Sequence, residues 1–236
     1  MVGMTVAEFY EKTRERLKLQ LIGENLHSRS RLVTSDINRP QLALTGFLEN
    51  FLWDRLQIFG ETEVLYLASL STERRGATLA GILGFAIPCI VVTKGLAVPE
   101  GLAEIAAQNE IPVFATKIDT THFIHEVTAF LEDAFAPTTK VHGSLVDVYG
   151  VGLLFTGKSG IGKSECGLDL VEHGHRLVAD DVVHLKRQGR SLHAMGSPLT
   201  RHHMEVRGLG IINVRPHGPC TDTDVDLAEV EKAIAW

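Results

Sequence analysis

The chain has 236 residues, 44% of them hydrophobic, and carries a formal net charge of −6. That length suits two ordinary domains with sizeable cores, and the acidic balance leaves no basic surplus for neutralising a nucleic-acid backbone. No apolar run approaches the ~18 residues that span a bilayer, "MVGMTVAEFYEK" lacks the basic-then-apolar order of a signal peptide, and the three cysteines, Cys89, Cys166 and Cys220, are too scattered for a disulfide framework or a zinc site. A cytoplasmic protein with neither nucleic-acid nor membrane partners is expected.

In the first half, Thr5 and Glu8 form the pattern of a capping box that opens a helix through about Leu19. "EVLYLAS" and "AIPCIVVTKG" are strand-like runs, "GLAEIAAQNE" is helix-like, and "IPVFATK" is again strand-like. Strands alternating with helices predict a parallel α/β sheet. "TTHFIHEVTAFLEDAF" adds one more amphipathic helix, and Pro137 disfavours helix for the residue before it. The domain boundary is therefore expected within 136–140, dividing the chain into 1–136 and 137–236.

The second half opens with "KVHGSLVDVYGVGLLFTG", two apolar strands meeting in a hairpin turn at Tyr149-Gly150. The second strand delivers "GKSGIGKS", residues 157–164, the full phosphate-loop pattern: Gly157, Lys158, Ser159, Gly160, Ile161, Gly162, Lys163 and Ser164. Its glycines permit the positive φ angles by which several N–H groups converge on one anion. Lys163 supplies a point charge for the outer phosphates, and Ser164 a hydroxyl for Mg²⁺. "SECGLDLVEHG" reads as a short helix stopped by Gly174, so bound phosphates would sit on a helix N-terminus.

After Gly174, "HRLVADDVVHLKRQG" is an apolar strand carrying Asp180 and Asp181. These acids follow Ser164 after a single short helix, an early position for the metal-binding carboxylate of a phosphate-loop protein. Successive strand side chains face opposite sides, so both reach one site only if the strand ends or bends there. One could serve a metal and the other accept a proton from an acceptor hydroxyl, a division of labour that spells phosphoryl transfer. In "RHHME" the adjacent His202 and His203 would point in different directions on a regular element, and no transition-metal site is expected there.

The stretches from Val141 to Val183 and from Met204 to Val214, with "TSDINRPQLALTGF", "PCIVVTKGL" and "IPVFATKIDTTHFI" upstream, resemble the HPr kinase/phosphorylase family. The resemblance extends from about Val6 to Val214. It implies ATP-dependent phosphorylation of a serine of HPr, the phosphocarrier protein of the bacterial sugar phosphotransferase system. It also implies phosphorolysis of that phosphoserine by inorganic phosphate with release of pyrophosphate, in a hexamer. The family's catalytic domain is similar to phosphoenolpyruvate carboxykinase around the nucleotide, which implies a phosphate-loop catalytic domain behind a structural or regulatory α/β domain. Residue by residue, the resemblance implies nucleotide binding by 157–164 and a catalytic Lys163. It places Mg²⁺ on Ser164 and Glu205 and makes His142 an active-site histidine. It further implies that Asp181 is the proton acceptor in phosphorylation and the donor in the reverse direction, with Asp180 its catalytic neighbour. Within 204–213, a segment needed in both directions, Arg207 is a candidate phosphate contact.

Two departures from the family pattern stand out. Lys158 occupies a position that the family usually fills with an acid, and its charge either strengthens nucleotide binding or competes with the metal. After Val214 the chain reads "RPHGPCTDTDVDLAEVEKAIAW", where the family continues for several tens of residues through a catalytic arginine, a dephosphorylation loop and further helices. "DVDLAEVEKAIAW" is expected to form one short amphipathic helix, which replaces none of these. The same residues therefore also fit a catalytically impaired nucleotide-binding regulatory protein, or a phosphate-loop kinase or ATPase with another acceptor.

Overall fold

A computed structural model describes residues 3–27, 30–189, 191–197, 200, 202–206, 208–214 and 225–226. The chain divides into two compact units, Met1–Phe135 and Ala136–Trp236.

The first unit runs β1 (Met4–Thr5), α1 (Val6–Thr13), β2 (Gln20–Ile22), β3 (Arg31–Leu32), β4 (Ile37–Asn38) and β5 (Leu56–Phe59). It continues through α2 (Glu61–Ser69), α3 (Thr72–Leu83), β6 (Ile90–Val92), α4 (Leu102–Gln108), β7 (Val113–Ala115) and α5 (Thr120–Phe135). The main sheet has the order β2-β7-β6-β5-β4, with β4 to β7 parallel and β2 antiparallel at the edge. Alternation along the strands feeds two cores. Phe59, Ile90, Val92 and Val113 pack with Leu67, Leu79, Ile82 and Leu102 of α2, α3 and α4. Leu56, Ile58, Val91 and Phe114 pack with Phe9 of α1 and with Phe123, Val127 and Leu131 of α5. Strands apolar on both faces are what a helix-covered parallel sheet requires.

The expected parallel α/β order is present, with two local corrections. The capping box of α1 forms as read: Glu8 N donates to Thr5 Oγ1 at 3.2 Å and Thr5 N to the Glu8 carboxylate at 2.8 Å, which holds that carboxyl below its usual range. The helix nevertheless ends at Thr13, whose hydroxyl donates back to Phe9 O at 2.7 Å, and Lys18 takes a left-handed φ of 48° that lets Leu17 and Leu19 both turn inward. "EVLYLAS" is helical, not a strand. Gly60 N donates to the buried Glu63 carboxylate at 2.9 Å, acids fill the first turn, and Glu63 and Leu67 are buried one turn apart. The strand lies just upstream, in "LQIF".

The second unit comprises β8 (Thr138–His142), β9 (Ser144–Val148), β10 (Val151–Phe155), α6 (Lys163–Glu172), β11 (Arg176–Ala179) and β12 (Val182–Gln188). These are followed by β13 (Ser191–Gly196), β14 (His203–Val206), β15 (Gly210–Asn213) and β16 (Val225–Asp226). A three-stranded sheet β10-β9-β11, a four-stranded sheet β16-β13-β12-β8 and the hairpin β14-β15 are all antiparallel. Tyr149 (φ 54°) and Gly150 (φ 88°) make the expected two-residue turn between β9 and β10. Strand β9 is buried on both faces: Leu145 joins Val183, Leu185 and Ala194 of the larger sheet, while Val146 joins Met204 and Val206 of the hairpin and the inner side of α6. The tail expected to be helical is a strand at Val225–Asp226, paired with β13, and its remainder lies outside the described residues.

The single apolar strand read ahead of the turn is two strands in different sheets, separated at Gly143. There the backbone crosses so closely that a Cβ would stand 2.3 Å from Phe155 O. Gly143→Ala is expected to destabilise the second unit by about 3 kcal/mol, since backbone cannot yield as a side chain would. Gly81→Ala is expected to have the opposite sign. It lies inside α3 with nothing within 4 Å of the new Cβ, and replacing a mid-helix glycine stabilises by about 1 kcal/mol. Urea unfolding resolved by hydrogen exchange in peptides from each unit checks both.

Candidate active site

The phosphate loop connects β10 to α6. Gly160 and Gly162 have φ of 84° and 103°, values open to glycine and costly for other residues, and the chain then enters α6 at Lys163. At the far end, Gly174 and His175 donate to the carbonyls of Val171 and Leu170 at 3.0 Å each, which is the glycine stop expected there. Gly167 brings α6 close to the sheet and the hairpin: a Cβ at that position would stand 3.0 Å from Met204 Cε.

A pocket of about 300 Å³ opens over the loop and is lined by His142, Gly143, Ser144, Gly157, Ser159, Gly160, Gly162, Lys163, Ser164, Glu165, Asp180, Asp181 and Glu205. The structure thus brings together the predicted His142, Asp180, Asp181 and Glu205 with most of the loop. Lys158 and Ile161 belong to the loop without lining the pocket, and Ile161 is exposed. Arg207 lies outside the described residues.

The two aspartates stand where one strand ends and the next begins. Asp180 follows β11 of the smaller sheet and Asp181 precedes β12 of the larger one, and Asp181 takes a left-handed φ of 68°. The break that the sequence required of a shared site is present. Asp180 is 7% exposed and its carboxylate accepts from three directions: from Ser144 Oγ at 2.5 Å, from Ser164 Oγ at 3.2 and 3.3 Å, and from Glu205 N at 3.1 Å. Asp181 is exposed. Its backbone carbonyl accepts from Gly143 N at 3.1 Å and stands 3.2 Å from His142 Nδ1, and its carboxylate lies 3.7 Å from the same nitrogen. One carboxylate is thus fixed and facing Ser164, and the other is free to meet an incoming group.

Lys163 Nζ donates to the carbonyls of Gly157 and Lys158 at 3.2 and 3.1 Å, which keeps the ammonium over the loop. The lining holds four carboxylates, Glu165, Asp180, Asp181 and Glu205, against the one ammonium of Lys163. These carboxylates oppose what the loop N–H groups and Lys163 offer a polyphosphate, and a divalent cation beside Ser164 and Asp180 would offset them. No cluster of three or more His, Cys, Asp or Glu able to hold a metal occurs among the described residues. The donors fit Mg²⁺ held jointly by a few protein oxygens and by phosphate. No described helix is long and apolar enough to cross a membrane.

Ser144, Gly143 and Glu165 line the pocket without having been singled out from sequence. The available signal for Ser144 was a hydroxyl at the head of a largely apolar strand.

A phosphate loop feeding a helix, with a buried carboxylate behind its serine and an exposed one in front, defines a phosphate-loop unit with a second acid at the mouth of its pocket. Residues 4–131 match the family described as HPr Serine kinase N terminus, and 133–218 the HPr Serine kinase C-terminal domain. The chain belongs to the HPr serine kinase family. It is 48% identical over 215 residues to the HPr kinase/phosphorylase of Chloroherpeton thalassium, covering 90% of this chain and 63% of that protein. Against the HPr kinase/phosphorylase of Pelodictyon phaeoclathratiforme the identity is 44% over 217 residues, covering 90% and 66%. The chain thus spans about two thirds of the length of these relatives or slightly less. Among solved structures it is similar to the Hpr(Ser) kinase/phosphatase from Coxiella burnetii, at 36% identity and a TM-score of 0.31 over 32% of this chain and 51% of that one. It is also similar to the CBS and DRTGG domains of the regulatory region of Clostridium perfringens pyrophosphatase, at 15% identity and a TM-score of 0.38 over 51% of this chain and 46% of that one.

The two described thiols differ sharply. Cys166, in the first turn of α6, is exposed, while Cys89 is wholly buried in the sheet of the first unit, where desolvation pushes its pKa far up. A soluble disulfide reagent is expected to modify Cys166 in the native protein and to reach Cys89 only after unfolding. Peptide mapping by mass spectrometry reads the order directly.

Proposed function

We propose that this chain transfers the γ-phosphoryl group of ATP to a serine of the phosphocarrier protein HPr, and removes it by phosphorolysis. The observation that carries the reading is the division of labour between the adjacent acids, with Asp180 anchored against Ser164 and Asp181 exposed at the mouth of the same pocket.

In this reading the N–H groups of 157–164 cradle the phosphates, and Lys163 exchanges its carbonyl partners for phosphate oxygens. Mg²⁺, when bound, offsets the charge of the phosphates and of the carboxylates. Ser164 and Glu205 hold it, with Asp180 behind them. Asp181 accepts the proton of the attacking serine hydroxyl and returns it in the reverse direction, and His142, beside it, orients that carboxylate. Arg207 contacts phosphate. Lys158 adds positive charge at the loop. In phosphorolysis inorganic phosphate, seated on the nucleotide side, attacks the phosphorus of phosphoserine; the bond to the serine oxygen breaks, Asp181 returns the proton to that oxygen, and pyrophosphate is the product. The second unit acts as the catalytic domain, with a nucleotide site like that of phosphoenolpyruvate carboxykinase, and the first as a structural or regulatory domain. The protein works in the cytoplasm, as a hexamer, in the control of carbon metabolism.

Transfer of labelled γ-phosphate from ATP to purified HPr in the presence of Mg²⁺ tests this reading. Asp181→Asn is expected to keep ATP bound while lowering transfer by at least about 10²-fold, and Lys163→Ala to weaken ATP binding itself. Transfer by Asp181→Asn at the unsubstituted rate sinks the role given to Asp181. Lys163-dependent ATP binding with no label on HPr favours a nucleotide-binding regulatory protein instead.

A further inference from the structure

Resting on that reading, we infer that Ser144 is a positioning residue for the metal–nucleotide complex, acting through Asp180. Ser144 opens β9 directly after the Gly143 crossing and is 1% exposed. Its hydroxyl donates to Asp180 Oδ1 at 2.5 Å, the shortest of the contacts that carboxylate receives. The other hydroxyl on Asp180 belongs to Ser164, which has one proton to give.

With its oxygen committed to Mg²⁺, Ser164 would donate its one proton to Asp180 from a position that the metal sets, and Ser144 would remain the side-chain donor that the metal does not touch. Glu205 N is the remaining donor, and it belongs to the residue read as holding the metal. Ser144 stands on a strand buried on both faces and anchored through Leu145 to the larger sheet, so it gives Asp180 a reference point outside the loop and the hairpin. Its contribution is therefore greater with metal and nucleotide bound than without them, which separates positioning from plain stabilisation.

The experiment is calorimetric titration of the full chain with ATP, with and without Mg²⁺, for the unsubstituted protein, Ser144→Ala, Ser144→Thr, Asp180→Asn and the Ser144→Ala/Asp180→Asn double variant. Hydrogen bonds to charged groups are strong enough for Ser144→Ala to reduce the Mg²⁺-dependent gain in ATP affinity roughly tenfold. Affinity without Mg²⁺ should stay within about twofold, Ser144→Thr should restore most of the gain by keeping the hydroxyl, and the double variant should lose no more than Asp180→Asn alone. Equal losses with and without Mg²⁺, or additive losses in the double variant, overturn the inference. If Ser144→Thr does not bind, the Ser144→Ala and double-variant comparison decides alone. An unsubstituted chain that binds ATP with no gain from Mg²⁺ overturns the metal reading and this inference with it. A normal gain that Ser144→Ala leaves intact overturns this inference only.

Discussion

A carboxylate removed from water must be given its hydrogen bonds back, and the second unit is arranged around doing so for Asp180. Its donors come from the head of β9, the first turn of α6 and the backbone of β14, so one side chain ties the smaller sheet, the phosphate-loop helix and the hairpin together. Burying that charge unpaired would cost several kcal/mol. The packing that supports it is specific: Gly167 lets Met204 approach α6, and Gly143 lets β8 and β9 part into different sheets.

Charge balance is what joins a lysine and a cation in the proposed reading of this site. Four carboxylates beside one ammonium oppose a bare polyphosphate, which is why the proposed reading has nucleotide and metal entering together. The family match over both units and the geometry of the second point the same way while resting on different information.

Features set by local chemistry could be read from the sequence. The phosphate loop, the capping box at Thr5, the glycine stop at Gly174 and the turn at Tyr149-Gly150 each depend on a few adjacent residues and stand as read. Features set by distant partners could not. Strand β5 contains Gln57, which looks like a polar interruption, yet its amide donates to the carbonyls of Leu52 and Arg55 at 2.8 Å and accepts from Asn38 at 2.8 Å. The cost of burying it is thereby offset, and the strand passes unnoticed. "EVLYLAS" alternates well enough to imitate a strand, and what makes it helical is the carboxylate of Glu63 capping Gly60. Ser144 finds its partner 36 positions away, beyond any local window.

The break between Asp180 and Asp181 is also the seam between two sheets. Asp180 travels with the sheet of β9, β10 and β11, and Asp181 with that of β8, β12, β13 and β16. Any rotation of one sheet against the other changes the spacing of the two acids, much as the jaws of a calliper follow its arms. The two aspartates of the pocket thus stand on opposite sides of the seam between the sheets. Leu145, Val183 and Ala194 of the shared core do not line the pocket, yet substitutions there bear on that spacing.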